Sequence, residues 1–234
     1  MGKTSQLSLA VTTKQNISDN GYLTGYRNKI INGDFGIWQR GTTSGTWVAP
    51  VSNFYLADRW LTTSSGTGGN GSITLQTFAL GQTDVPGNPT NFLRWQITSA
   101  ASGQSTGSSY LEQRIEDVRT LSNSKATVTL YLKGTGTLPS INLVQNFGTG
   151  GSPSSQVVTN IATSISLNAG WTKYQYVVNV PSISGKTLGS TINNYLALNI
   201  QTPINTIYTL DIAHVSIVEG DATLETDPFS PRLS

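Results

Sequence analysis

Residues 126–132 read ATVTLYL, a stretch that is typical of a β-strand. Thr and Val are β-branched and Tyr is aromatic, and these residue types pack well on the pleated surface of a sheet. The cluster at 134–136, Gly-Thr-Gly, follows closely and has the small residues that a turn needs. Strand and turn signals alternate in the same way on both sides of this stretch, which predicts an all-β fold.

Strand-like segments recur at short intervals from Asn28 onward. Two of them, SITLQ at 72–76 and FLRWQI at 92–97, alternate apolar and polar residues, as strands with one buried face do. One turn-forming cluster, at 64–71, precedes the first segment, and another, at 85–89, lies between the two. The other strand-like segments are 141–144, 161–167, 171–180, 195–200 and 208–218. Short strands at regular spacing predict a β-sandwich or a barrel.

Residues 110–121, YLEQRIEDVRTL, also fit a helix. Leu111, Ile115 and Val118 fall at the spacing that places side chains on one helical face. The same segment alternates as a strand over 111–115 and then ends in a turn. We favour the strand followed by a short turn, because the segments around it are strands.

The composition narrows the class of protein. Of 234 residues, 36% are hydrophobic and 11% are charged, so the chain has enough apolar residues for a core and a weakly charged surface. The net charge is +2 and the basic residues form no stripe, so we expect no nucleic-acid binding. The chain has no cysteine, which excludes disulfides and thiolate zinc sites. We find no signal peptide and no apolar run of membrane-spanning length, so we expect no membrane insertion.

Residues that could carry catalysis are few. His214 is the single histidine, and no G-x-S-x-G motif supplies a serine nucleophile beside it. By alternation, His214 shares a strand face with Ile212 and Ser216, and we interpret it as a residue lying over the sheet.

The densest acidic cluster consists of Glu112, Glu116 and Asp117. Glycosidases use two carboxylates that flank the scissile bond. These three residues alternate with Arg114 and Arg119, so we interpret them as ion pairs on a solvated face. We therefore expect no enzymatic activity, and glycan hydrolysis is the remote alternative.

Residues 1–27 differ from the rest of the chain. Leu7, Leu9 and Val11 alternate with small polar or apolar residues, which predicts one strand with a single apolar face. A lone strand must pair with the sandwich or with another subunit to bury that face. We interpret 1–27 as an N-terminal assembly arm and 28–234 as the sandwich. A frayed terminal tail is the alternative for the arm.

Aromatic side chains are the best candidates for ligand binding, because their flat faces pack against the apolar faces of sugar rings. Trp47 lies in the loop-like run 41–47, and Tyr55 and Trp38 are near it in sequence. We predict a glycan site at these three residues. The alternative is that they cap the end of the core. The tryptophans in strand-like segments are expected in the core itself: Trp60, Trp95 and Trp171.

A series of short motifs runs in a fixed order from residue 28 to residue 232. The motifs are NKIINGDF (28–35), IWQRG (37–41), LADRW (56–60), LEQRIEDVR (111–119), NFGTGGSP (146–153), WTKYQYVVNVP (171–181), GKTLG (185–189), LDIAHV (210–215) and PFSPR (228–232). In this order they resemble a domain that is widespread in tail-fibre and other virion proteins of bacteriophages.

The resemblance implies a galactose-binding-like jelly-roll β-sandwich, the fold of many carbohydrate-binding modules. In that fold the first strand, here ending at 32–35, lies beside the last strand, here 210–218. Such modules often hold a structural calcium ion there, and Asp34 and Asp211 are the ligands that this sequence offers. Gly36 stands where many of them carry a ligand glutamate. No other cofactor is implied.

The resemblance also implies a structural protein on the virion surface: a capsid decoration protein, a head fibre or a short tail appendage. The expected partners are other virion proteins of the capsid or tail, further copies of the chain in a homotrimer, and a host surface glycan. We expect synthesis in the host cytoplasm and a stand-alone domain with a short arm. A tail-fibre protein dedicated to a host glycan receptor is the alternative.

Overall fold

In the computed structural model of the chain, the described residues are 27–49, 51–65, 67–100, 102, 109–203, 206–225 and 227–229, without the side chains of 47 and 51–53. The strands found there are β1 (Trp47–Val48), β2 (Val51–Tyr55), β3 (Trp60–Ser64), β4 (Asn70–Thr77), β5 (Asn91–Ser99), β6 (Ser109–Glu116), β7 (Lys125–Gly134), β8 (Thr137–Asn146), β9 (Val157–Ser166), β10 (Thr172–Asn179), β11 (Tyr195–Gln201) and β12 (Tyr208–Glu219). This series confirms the expected all-β chain. None of the helices within the described ranges is long and apolar enough to cross a lipid bilayer.

The strands form two antiparallel sheets of six strands each. The first sheet has the order β1-β4-β5-β12-β7-β10, and the second has the order β2-β3-β6-β11-β8-β9. The chain crosses between the sheets from β5 to β6, from β6 to β7 and again from β7 to β8. This repeated crossing is the arrangement of a jelly-roll β-sandwich, which confirms the predicted fold.

The core lies between the two sheets. Trp60 on β3 is 1% exposed and Trp95 on β5 is 0% exposed, so each sheet contributes one tryptophan, as predicted. Trp171 does not belong to this core. It is half-buried on the outer side of the first sheet, where its ring packs against Phe78 and Phe92 at centroid distances of 5.1 and 5.2 Å. The prediction for Trp171 was wrong because strand alternation does not say which face is inside.

The segment that carries the NKIINGDF motif runs beside β12. The amide of Lys29 donates to the carbonyl of Ile217 at 2.8 Å, and the amide of Val215 donates to the carbonyl of Gly33 at 2.9 Å. A Cβ atom added at Gly33 would lie 2.1 Å from the carbonyl oxygen of Val215. The close pairing therefore needs glycine at this position. The expected proximity of residues 32–35 to 210–218 is confirmed, but the prediction that a strand ends at 32–35 is wrong, because 28–35 forms no strand of either sheet.

Asn32 joins three of the motifs into one corner of the sandwich. It is fully buried and adopts a φ of 54°, which Asn tolerates better than most residues. Its side-chain amide donates to the carbonyls of Ile37 and Asp58 at 2.9 and 3.1 Å, and its Oδ1 accepts from the amide of Ile37 at 2.9 Å. Its own carbonyl accepts from Nε1 of Trp60 at 3.0 Å.

The segment 110–121 is a strand followed by a turn, as favoured above. β6 ends at Glu116, and the amide of Thr120 then donates to the carbonyl of Asp117 at 3.0 Å. Asp117 and Leu121 have φ values of 72° and 59°, which a continuing helix does not allow.

His214 lies at a β-bulge, and the bulge changes which residues face the core. The register of β12 against β7 shifts between Ala213 and Ser216, and His214 has a φ of 54°. Ile212 and Val215 therefore both belong to the core cluster, whereas His214 packs on the outer side against Tyr131. The prediction that His214 shares a face with Ile212 was wrong, because it assumed unbroken alternation.

The start of the sandwich is tied to the C-terminal segment. The guanidinium of Arg27 donates two hydrogen bonds to the carboxylate of Glu225, at 2.7 and 2.5 Å. The predicted arm strand with Leu7, Leu9 and Val11 lies outside the described residues. The division at residue 27 stays a prediction.

Candidate functional site

The outer face of the second sheet carries an unusual row of polar residues. Leu111 and Leu198 point into the core, so their neighbours Glu112 and Asn199 point outward. Cross-strand pairing places Leu61, Glu112, Asn199, Asn142 and Asn160 side by side on β3, β6, β11, β8 and β9. We refer to the part of this row from Glu112 to Asn142 as the polar floor.

Glu112 organises one end of the polar floor. Its Oε1 accepts from Nε of Arg114 at 2.8 Å, and its Oε2 accepts from Nδ2 of Asn199 at 2.9 Å. Glu112 is only 5% exposed. The predicted ion pair is confirmed for Glu112, but the predicted solvated face is wrong for this residue, since its carboxylate is buried between Arg114 and Asn199.

The other end of the polar floor offers hydrogen-bond acceptors. Nδ2 of Asn142 donates to Oγ of Ser140 at 2.9 Å, and this hydroxyl donates to Oε1 of Gln201 at 2.8 Å. The Oδ1 atoms of Asn142 and Asn199 are buried and lack a hydrogen-bond partner in the structure. Buried acceptors are normally satisfied, so these two atoms are unusual, but their burial keeps a ligand on this face from contacting them directly.

Tyrosines flank the polar floor. Tyr55 lies on the edge strand β2 and is 36% exposed. Tyr110 and Tyr195 are half-buried and stand on β6 and β11 at positions that alternate outward. Glu116, the cross-strand partner of Tyr195, lies six positions after Tyr110 on β6, which is roughly 20 Å along an extended strand. The face is therefore long enough for an extended ligand.

Burial and neighbouring charges shift the pKa values of Tyr195 and Arg114 on this face. Burial first, and the charge of Glu112 second, raise the pKa of Tyr195, so its hydroxyl stays protonated. Burial alone would lower the pKa of Arg114, but the hydrogen bond to Glu112 and nearby charges outweigh it and raise the pKa. The guanidinium carbon of Arg114 lies 4.5 Å from the ring centre of Tyr195, in cation–π geometry.

A cleft of about 750 Å³ opens at the Tyr195 end of the face. Arg114 and Tyr195 belong to both the cleft and the face. The remaining lining residues come from the turn after β6 and from the loops around β8 and β11: Glu116, Asp117, Arg119, Asn146, Thr149, Ile192, Asn193 and Asn194. We call the surface formed by the polar floor and by Tyr55, Tyr110 and Tyr195 the tyrosine-lined face. A ligand on this face could therefore continue into a concave site.

The carboxylates of this cleft are held in ion pairs. Glu116 pairs with Arg59 at 3.2 Å, and Asp117 pairs with Arg119 at 3.1 Å. Ion pairing was expected for both residues, although Arg59 was not foreseen as a partner.

The backbone places the predicted glycan residues in different parts of the sandwich. Tyr55 lies in the second sheet, and Arg40 stands 5.8 Å over its ring. Trp47 lies in β1 of the first sheet, and its side chain is outside the described part of the structure. Nε1 of Trp38 donates to the carbonyl of Phe35 at 2.6 Å while its ring packs against the core. Tyr55 stands on the face described here, and a glycan site at Trp38, Trp47 and Tyr55 together stays a prediction.

The predicted metal ligands have protein partners. Asp34 accepts a long hydrogen bond of 3.4 Å from the amide of Gly36. Asp211 is 1% exposed, and both of its carboxylate oxygens are bound by Arg94. Across the described ranges, no group of three or more His, Cys, Asp or Glu residues could hold a metal ion. A calcium site at Asp34 and Asp211 stays a prediction.

Sequence reasoning missed Tyr110, Tyr195 and the asparagines of the polar floor. The alternation along YLEQRIE could have shown that Tyr110, Glu112 and Arg114 lie on the face opposite the core. The link between them was not visible, since β6, β8 and β11 become neighbours only through the sheet order.

Comparison with known proteins gave matches among solved structures alone. No family model matches the chain, and no curated protein matches it. One similar structure is the enzymatically active domain of tailspike protein 4 from bacteriophage CBA120, with 14% identity, a TM-score of 0.50, and coverage of 86% of this chain and 24% of that one. This chain thus spans about a quarter of the tailspike structure.

Two further structures are less similar. A candidate sugar-binding protein from Bacteroides thetaiotaomicron VPI-5482 has 16% identity, a TM-score of 0.48, and coverage of 82% of this chain and 100% of that one. The CBM22-2 xylan-binding domain of Xyn10C from Paenibacillus barcinonensis has 13% identity, a TM-score of 0.43, and coverage of 75% and 98%. At these identities a likeness concerns the fold alone, and the tailspike match agrees with the jelly-roll β-sandwich described above.

Proposed function

We propose that this chain is a non-enzymatic structural protein of a bacteriophage particle that binds glycans through the outer face of its second sheet. The observation that carries the glycan-binding part is the arrangement of Tyr55, Tyr110 and Tyr195 around the polar floor. This arrangement combines apolar ring faces with fixed polar groups on one surface of roughly 20 Å.

The chemistry of the face matches that of a sugar. Each sugar ring has apolar C–H faces that pack on a tyrosine ring, and hydroxyl groups at its edge that need donors and acceptors. The guanidinium of Arg114 keeps N–H donors that can reach hydroxyl oxygens of a sugar. The proposal therefore concerns an oligosaccharide that lies along the sheet face.

A non-enzymatic role is supported by the state of the acidic residues. Glu112, Glu116 and Asp117 each have an arginine partner within 3.2 Å. A glycosidase needs two carboxylates that face the scissile bond, whereas these three are engaged by arginines of the protein.

The virion part of the proposal rests on different support. The ordered motifs resemble those of phage virion proteins, and three of them pack together around Asn32. The similar fold of a phage tailspike domain is in line with this setting. The proposed structural protein is a capsid decoration protein, a head fibre or a short tail appendage. The alternative is a tail fibre dedicated to receptor binding.

The glycan-binding part is tested with a glycan array followed by calorimetry on the wild-type chain. We expect the double variant Tyr110→Ala/Tyr195→Ala to lose at least about tenfold in affinity for the best array ligand, since two ring contacts are removed. The matched control is Trp171→Ala, which removes a half-buried aromatic ring on the outer side of the opposite sheet.

Melting temperatures of all variants establish that they are folded. Wild-type affinity in the tyrosine double variant, or an equal loss in Trp171→Ala, would contradict the proposed face. The virion part is tested by locating the chain in a cryo-electron microscopy map of the particle. A position on the capsid supports a decoration protein, and a position at the tail tip supports the receptor-binding alternative.

A further inference from the structure

A second, smaller cleft of about 260 Å³ adjoins the tyrosine-lined face. Its basic lining residues are Lys29, Arg59 and Arg114, and its only carboxylate among the described lining residues is that of Glu116. The other lining residues are Ile31, Gln113, Ile115 and Thr120. We call this space the basic cleft.

Two of the three basic residues of the cleft are paired, Arg59 with Glu116 and Arg114 with Glu112, and the positive charge left over is that of Lys29. Glu116 is 88% exposed and pairs with Arg59, whose side chain is 47% exposed, so water weakens this pair. The structure gives the ammonium group of Lys29 no carboxylate partner among the described residues. A bound anion would therefore add a partner for Lys29 and would compete with only one exposed carboxylate.

Arg114 connects the basic cleft with the tyrosine-lined face. Glu112 holds Arg114 through Nε, and the terminal nitrogens of the guanidinium keep N–H donors that no described residue accepts from. These donors are fixed in position because Nε is held by a buried carboxylate and the guanidinium lies over Tyr195. Planar guanidinium groups are well suited to binding carboxylate or sulfate oxygens.

We propose that the preferred ligand is an acidic glycan, whose carboxylate or sulfate group enters the basic cleft while its sugar rings lie on the tyrosine-lined face. This inference rests on the proposed glycan-binding function and names the ligand class of the same site. The recognised chemistry is an anionic group attached to a sugar ring. Lys29 and Arg59 supply charge, and Arg114 supplies oriented donors.

The test uses the full chain and two matched sets of probes. One set contains uronate-bearing oligosaccharides, and the other contains the same oligosaccharides after chemical reduction of the carboxyl group. We expect the wild-type chain to bind the uronate set at least about tenfold more tightly, because hydrogen bonds to charged groups are the stronger ones. Added salt should weaken uronate binding and leave the reduced set unchanged.

The variant Lys29→Gln/Arg59→Gln should lose about tenfold or more in uronate affinity and keep its affinity for the reduced set. The control is Lys125→Gln/Lys186→Gln, which changes the net charge equally at residues that line neither cleft. Uronate binding should survive in the control.

The outcomes separate the two levels of the proposal. Equal wild-type affinity for both sets would overturn the acidic ligand and leave glycan binding intact. Undiminished uronate binding by Lys29→Gln/Arg59→Gln would overturn the placement of the anion in the basic cleft. Failure of the wild-type chain to bind either set, or any glycan on an array, would overturn the proposed function itself.

Discussion

Arg94 and Asp211 face each other across β5 and β12 and are joined by two parallel hydrogen bonds. Nε of Arg94 donates to Oδ1 of Asp211 at 2.7 Å, and a terminal nitrogen donates to Oδ2 at 2.8 Å. The Asp211 side chain is 2% exposed, while that of Arg94 is 33% exposed. The pair therefore satisfies a buried carboxylate at the centre of the first sheet.

The variant Asp211→Asn is expected to lower the free energy of unfolding by about 2 kcal/mol, because it removes charge-assisted hydrogen bonds from a buried site. Urea unfolding at neutral pH measures the change. The control Asp117→Asn removes an exposed pair with Arg119 and should cost less than about 1 kcal/mol. If both variants lost the same small amount of unfolding free energy, burial of the Arg94–Asp211 pair would not add to its stabilising effect.

The same pair leads to a prediction about calcium. Arg94 already occupies both oxygens of Asp211, so a calcium ion there would have to displace it. If Arg94 keeps Asp211, the melting temperature is the same in calcium chloride and in excess chelator. A ligand that binds the folded state raises the melting temperature, so a clear calcium-dependent rise would instead support the site at Asp34 and Asp211.

His214 and Asp227 form a second buried contact that depends on pH. Burial alone would raise the pKa of Asp227, but the hydrogen bond and charge of His214, the amide of Phe229 and the charge of Lys173 outweigh it and lower the pKa below 3.8. Because Asp227 is then ionised, Nε2 of His214 must donate to its Oδ2, at 2.9 Å. The ring of His214 also stacks on Phe229 at 3.8 Å.

A carboxylate with a lowered pKa stabilises the folded state above its ordinary pKa and loses this effect as the pH falls through the lowered value. Asp227→Asn should therefore reduce the unfolding free energy at pH 5–7, by roughly 1 kcal/mol. The difference from the wild-type chain should shrink below pH 3.8. Urea unfolding at a series of pH values measures this difference. A difference that stayed constant down to the lowest pH would contradict a stabilising role for the ionised Asp227.

Gly33 and Gly36 stand three residues apart but face different surroundings. A Cβ atom at Gly33 would lie 2.1 Å from the backbone oxygen of Val215, whereas at Gly36 the nearest atom is 3.6 Å away, in the side chain of Asp34. Gly33→Ala should therefore lose about 3 kcal/mol of stability or fail to fold, since the backbone must move. Gly36→Ala should change stability by less than about 0.5 kcal/mol. Similar melting temperatures for both variants would contradict the close backbone approach.

Local patterns were enough to predict β4 to β12, because alternation and turn residues act within one segment. They did not predict β1 or β2, and the strand expected to end at 32–35 is absent. They were enough for Trp60 and Trp95, and the motif resemblance placed the first segment beside β12. They failed at His214, where a bulge shifts the phase of the strand, and at Trp171, which covers the outside of the first sheet.

The candidate site was harder to predict for a different reason. Tyr55, Glu112, Asn142 and Tyr195 lie on four strands that are far apart in sequence. Their proximity depends on long-range strand order and register, and neither leaves a local signal. The burial of Glu112 has the same origin, because residues of neighbouring strands shield it. The sequence therefore indicated an ion pair but not its place in a binding face.

The predicted assembly arm is tested by deleting residues 1–25, which keeps Arg27 and its pair with Glu225. The truncated chain should fold with an unchanged melting temperature but should not enter phage particles, because strand addition to a neighbour would be lost. A full-length chain with Leu7, Leu9 and Val11 each replaced by Ser serves as the matched variant and should fail in the same way. Normal incorporation of either protein would contradict an assembly role for the arm.

Glu112 provides the sharpest test of how the binding face is organised. Both of its carboxylate oxygens are engaged, one by Arg114 and the other by Asn199, so its role in binding is to position these two residues. In Glu112→Gln one carboxylate oxygen becomes an amide group, which opposes a donor of Arg114 or Asn199. We expect about a tenfold loss of glycan affinity, with the chain still folded well above the assay temperature.

A second readout separates positioning from general damage. The NMR signal of the Arg114 Nε–H should shift in Glu112→Gln, because its acceptor has changed. The control Glu219→Gln alters an exposed carboxylate in the first sheet and should leave both affinity and this signal unchanged. If Glu112→Gln shifts the Arg114 signal and keeps wild-type affinity, then Arg114 does not contact the glycan. Binding would in that case rest on the tyrosine rings.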